Sequence, residues 1–133
     1  MKSFTIIPLT QVGDIPFMTN RDVVRAKLGD YKEFKKTNLS KTTTDDFGFC
    51  HVFYDALNQC EAIEFFPGLE IELILNGTDV AKASLDDIHD FLAKADNQVE
   101  KSEDMLISTK LGISLYVPSS VVESIMFFCE GYY

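Results

Sequence analysis

Two stretches of this chain resemble each other, and that likeness restricts the fold more than any other feature. Tyr54 to Phe66 reads YDALNQCEAIEFF, and Tyr116 to Phe128 reads YVPSSVVESIMFF. At an offset of 62 residues five of thirteen positions match: the leading Tyr, Glu61 with Glu123, Ile63 with Ile125, Phe65 with Phe127 and Phe66 with Phe128. Each stretch has the pattern of a hairpin, with a short strand ending at the tyrosine, a turn rich in Asp, Asn, Pro or Ser, and an alternating return strand. Upstream of each, a hydroxyl residue precedes an acidic one by three positions, Thr19 with Asp22 and Ser84 with Asp87, the pattern of a helix N-cap. Helix one is expected over about residues 20–28, burying Val23, Val24 and Leu28 and stopping at Gly29. Helix two is expected to bury Leu85, Ile88, Phe91 and Leu92 and to end at Asp96 and Asn97. Leu69 to Leu75 (LEIELIL) alternates as a further strand, closed by Asn76-Gly77.

These elements predict an α+β domain: two imperfect repeats of helix plus antiparallel strands, about residues 15–75 and 84–133, forming one sheet with helices on one face. Lys35 to Asp46 and Gln98 to Asp104 are polar loops, and the pieces on either side are too small to hold separate cores, so residues 1–133 read as a single domain. With 46% apolar and 25% charged residues, the chain can bury one core and has the composition of neither a disordered tail nor a membrane span. Met1 to Leu9 holds a short apolar run broken by Pro8, with no small-residue cleavage site after it, and no apolar run reaches the ~18 residues of a membrane helix. A cytoplasmic location and no membrane contact are expected. Cys50, Cys60 and Cys129 are odd in number and include no Cys-x-x-Cys pair, which reads as buried, reduced thiols.

The chemistry-bearing residues are few. His51 alternates with Phe49 and Phe53 in a strand and reads as structural. Asp86, His89 and Asp90 share one helical face, but the third or fourth strong ligand that a metal needs is missing from the pattern, so no metal and no cofactor are expected. There is no Gly-x-Ser-x-Gly elbow, and the seven glycines are scattered as turn and cap residues without a phosphate-cradling loop. Glu70 and Glu72 lie on one strand face with nothing nearby to split their pKa values for acid and base work. No catalytic residue is assigned, and the chain is read as not an enzyme.

Alternation gives a sharper lead. In the return strands Ile63 and Phe65, with Ile125 and Phe127, form one face, and Ala62, Glu64 and Phe66, with Ser124, Met126 and Phe128, form the other. The first set is the expected core beneath the helices. The second is expected to be joined by Tyr54, Tyr116, Glu70 and Glu72, giving a partner-binding face anchored by Tyr54, Phe66, Tyr116 and Phe128 and surrounded by Glu64, Glu70 and Glu72. The competing expectation is that this face is covered by the Lys35 to Asp46 loop, the N-terminal segment or a second copy, so a homo-oligomer stays open. Lys plus Arg number 12 against 21 Asp plus Glu, a formal charge of -9, which excludes a nucleic-acid footprint and favours a cationic partner.

The order Ile15, Phe17-Met18-Thr19, Val23-Val24, Leu28-Gly29, Tyr54-Asp55 and Ala62-Ile63-Glu64-Phe65-Phe66 resembles the helix-plus-sheet unit of the β-lactamase-inhibitory-protein-like fold. Leu111 to Tyr116 with Pro118, then Val122 to Ile125 and Gly131-Tyr132-Tyr133, is similar to a set of small cytoplasmic bacterial proteins. Immunity proteins that neutralise bacterial toxins are similar in size, acidity and α/β makeup. Together these resemblances imply a protein-binding scaffold, most concretely an immunity protein acting on a basic toxin domain, with a nuclease as the class whose surface suits an acidic inhibitor. The alternatives are a housekeeping scaffold or small-molecule-binding protein and, behind these, a small hydrolase.

Overall fold

Short segments in which apolar and polar residues alternate favour strands. The structure, a computed structural model that describes residues 2–40, 42–66, 68 and 70–133, is built chiefly from such segments. In chain order they are β1 (Lys2–Ile7), β2 (Gln11–Val12), β3 (Ile15–Pro16), helix α1 (Arg21–Leu28), β4 (Lys32–Phe34), β5 (Thr44–Asp46), β6 (Cys50–Tyr54), β7 (Cys60–Phe65), β8 (Ile71–Leu75) and β9 (Thr78–Asp79). Helix α2 (Leu85–Ala95) follows, then β10 (Glu100–Lys101), β11 (Met105–Ser108), β12 (Ile113–Tyr116), a 3-10 turn at Pro118–Ser120 and β13 (Ser124–Phe128). Met1, Lys41, Pro67 and Leu69 lie outside the described residues, so the strand expected from Leu69 is seen from Ile71. The two stretches expected as loops both contain strand: β5 ends the first, and β10 lies in the second.

The fold is α+β. Among the described residues its strands make two sheets where one was expected. Eight strands form an antiparallel sheet in the order β10-β11-β12-β13-β7-β6-β5-β4. The other five run β3-β2-β1-β8-β9, with β1 parallel to β8. That parallel pairing joins segments far apart in sequence and draws Ile71, Leu73 and Leu75 into a second layer with Ile6. Phe4 spans the layers, its ring 5.1 Å from that of Phe65.

Each helix starts at a side-chain cap. Ser84 accepts a hydrogen bond from the Asp87 N–H at 3.1 Å, and α2 buries Ile88 and Leu92 with Leu85 and Phe91 half-buried, ending where the Asp96 N–H meets the Leu92 carbonyl. At α1 the cap is Asn20, which accepts from the Asp22 N–H at 2.9 Å, while the Thr19 hydroxyl donates to the Pro16 carbonyl. The expected cap was one residue early. The buried face of α1 is therefore Arg21 and Val24, and Val23 is 45% exposed. Val24, Ile88 and Leu92 pack into one core with Ile63, Phe65, Ile125 and Phe127, so both helices lie on the same side of the eight-stranded sheet. The other side carries a separate apolar cluster of Phe53, Ala62, Met126 and Phe128.

Gly112, at the entry to β12, sits at φ 64°, where a side chain is strained, and a Cβ there would lie 2.8 Å from the Phe128 carbonyl oxygen. Gly112→Ala is therefore expected to cost about 2 kcal/mol and lower Tm by several degrees. An unchanged Tm would show that β12 and β13 separate there at no cost.

Candidate functional site

Strand alternation decides what each face of the eight-stranded sheet presents. β13 pairs with β7 so that Ile125 faces Phe65, Met126 faces Glu64, Phe127 faces Ile63 and Phe128 faces Ala62. Ile63, Phe65, Ile125 and Phe127 point into the core, as expected. On the helix-free side, pairing lines up Ser114, Met126, Glu64 and His51 in one row across four strands, and Glu100 ends that row beyond Ile107. Tyr116 stands on the same side, 40% exposed. Phe66 follows β7, its ring 4.7 Å from that of His51, whose other neighbour is Phe34 at 5.1 Å. The His51 Nε2 lies 3.5 Å from an Asp46 carboxylate oxygen.

Of the residues expected on this face, Glu64, Phe66 and Tyr116 are brought together there. Tyr54 is not. β6 alternates Cys50, Val52 and Tyr54 inward, and β7 carries an extra residue, Glu61, between the pairs Phe53 with Ala62 and Tyr54 with Cys60. Val52 faces Ile63 and Leu115 faces Ile125, so the first strands correspond one residue off the offset of the return strands. Tyr116 thus takes the register position of Phe53. Phe128 lies on the expected side but is only 2% exposed, because Tyr132 stacks on it at 5.6 Å and Tyr133 meets it edge-on at 4.9 Å. Glu70 is exposed ahead of β8, and Glu72, opposite Ser3, belongs to the five-stranded sheet, so neither surrounds the face. The cover comes from the two tyrosines and from Lys36, whose Nζ sits 4.6 Å from the Phe53 ring centroid.

A buried ionic cluster escaped the sequence patterns. Asp45, 0% exposed, accepts hydrogen bonds from Arg21 at 2.8 Å, Arg25 at 2.7 and 2.9 Å and the Tyr54 hydroxyl at 2.9 Å. The Arg21 guanidinium lies over the Tyr54 ring at 4.3 Å and that of Arg25 over Tyr31 at 4.0 Å. Burial alone would raise the Asp45 pKa, but the bonds from Arg25, Arg21 and Tyr54 outweigh it and hold it at about 2. Those partners occupy the carboxylate, which suits it to pin α1 to the sheet and not to move protons. The only local sign was the pair of arginines four apart on α1.

The three thiols are unpaired, with Cys50 and Cys60 buried and Cys129 half-buried. Burial pushes each upward, Cys60 to about 12, which leaves little reactive thiolate. Among the described residues no group of three His, Cys, Asp or Glu is placed to hold a metal ion, and no helix is long and apolar enough to cross a membrane. A concavity of about 560 Å³ lies between the Asp96–Gln98 turn, Lys110 and the Phe128–Tyr133 segment. Of the carboxylates that line it, Asp96 already accepts from the Ser108 hydroxyl at 2.8 Å and the Gln98 N–H at 2.9 Å, and Glu130 is exposed. No protein-family model, curated protein or solved structure matches this chain.

Proposed function

We propose that the chain is a non-catalytic, cytoplasmic protein-binding module, most concretely an immunity protein that neutralises a bacterial toxin domain with a basic surface. The observation that carries this is the helix-free face of the eight-stranded sheet, where Tyr116, Phe66 and Met126 surround Glu64. A sheet face left open by its helices, with aromatic anchors and a carboxylate among them, has the makeup of an interface. The net charge of -9 supports a cationic partner, such as a nuclease whose Lys and Arg residues hold nucleic-acid phosphate. Unpaired thiols suit a reducing compartment.

The test is to purify the proteins encoded by the neighbouring genes and follow their association with this chain as ionic strength rises. Fast association that slows with salt is expected, because complementary charge acts on encounter. No binding, or a rate indifferent to salt, contradicts the proposal. The concavity of about 560 Å³ favours small-molecule binding as a second reading. A small molecule that raises Tm in the native chain but not after Thr109→Trp would support that reading instead.

A further inference from the structure

We propose that the groove between Tyr116 and Tyr133 is a socket for one arginine side chain of the basic partner, an inference that presupposes the protein-binding function above. The groove encloses about 190 Å³, room for a single long side chain. Met105 and Met126 form part of its lining and offer polarisable, adaptable surface to an aliphatic stem. Tyr116 and Tyr133, 40% and 61% exposed, present rings to the flat faces of a guanidinium. Glu64 supplies the charge. The residue is half-buried and paired across the strands with Met126, and among the described residues its side chain makes no hydrogen bond or ion pair. A carboxylate partly withdrawn from water is stabilised most by a cation that hydrogen-bonds to it, and arginine does so with two parallel N–H groups.

The groove already receives a cation from its own chain. Lys36 lines one end, its ammonium over the Phe53 ring, which shows that the aromatic wall accepts positive charge. Lysine from a partner would reach the carboxylate only as a point charge, whereas arginine matches the fork of Glu64 and the two rings at once.

The probe is the blocked tripeptide Gly-Arg-Gly, titrated into the full chain and followed by NMR, with the citrulline tripeptide as its neutral isostere. Saturable shifts confined to β7, β12, β13 and Tyr133 are expected for the arginine peptide. The citrulline peptide should bind about tenfold more weakly, and Glu64→Gln should weaken the arginine peptide by a similar factor with Tm unchanged. Absence of saturable shifts, shifts elsewhere, or equal affinity for the two peptides overturns the socket. A toxin domain that binds this face regardless of Glu64→Gln would overturn the socket alone, leaving the module intact. Arginine-peptide binding with no adjacent-domain binding would overturn the module alone.

Discussion

Asp45→Ala is expected to destabilise the fold by about 3 to 5 kcal/mol, because it strips the common acceptor from two guanidinium groups and a hydroxyl at a site withheld from water. Arg21 is itself buried, with remaining bonds to Thr43 and Asn58, so its charge cannot simply turn to solvent. Folding free energies of whole domains are only about 5 to 15 kcal/mol, so the variant should be largely unfolded at modest denaturant concentrations. The sign of the pH dependence follows from the direction of the shift. Asp45 titrates near 2 in the fold and near its ordinary value of about 3.9 when unfolded, so folding releases the proton. The contribution of about 2 kcal/mol is complete above pH ~4 and is lost as pH falls toward 2. The stability gap between the native chain and Asp45→Asn, measured by urea unfolding, should therefore narrow over that window. A cost below about 1 kcal/mol for Asp45→Ala would show that the cluster is incidental to the fold.

Tyr116→Ala is expected to speed dissociation of a bound toxin domain by about thirtyfold, since an aromatic anchor at the centre of an interface typically carries ~2 kcal/mol or more. Tyr116 is 40% exposed and belongs to neither buried cluster, so the fold should tolerate loss of its ring. Phe66→Ala should act in the same direction. Phe128→Ala is unsuitable as a probe of binding, because it empties a buried site beneath Tyr132 and Tyr133 and is expected to destabilise the fold itself by about 3 kcal/mol. Glu64→Lys should mainly slow association and flatten its salt dependence. Kinetics unmoved by Tyr116→Ala and Glu64→Lys together would place the interface elsewhere, on the exposed acidic face of α2 around Asp86, Asp87 and Asp90.

What was legible in the sequence was what local spacing controls. The Ser84 cap and the Ile88 and Leu92 stripe of α2 follow from helical periodicity, and the inward set Ile63, Phe65, Ile125 and Phe127 from a period of two. The misplacement of Tyr54 came from extending the return-strand offset across a turn, where one extra residue at Glu61 shifts the register and sends every later side chain to the other face. Glu72 alternates as expected but sits in a second sheet, which exists because β1 pairs with a strand far along the chain. The Asp45 cluster is invisible for the same reason: its donors lie 24, 20 and 9 residues away, and no spacing rule joins them.

The central claim is that the helix-free face of the eight-stranded sheet binds a basic protein, and methionine methyl NMR tests it most directly. Met105 and Met126 line the groove on that face, while Met18, 45% exposed ahead of α1, lies outside that lining and serves as the reference. On addition of a basic toxin domain that binds this chain, the Met105 and Met126 methyl signals are predicted to shift while that of Met18 stays in place. A complex that forms while both face methyls remain unmoved, or that moves Met18 alone, would contradict the account.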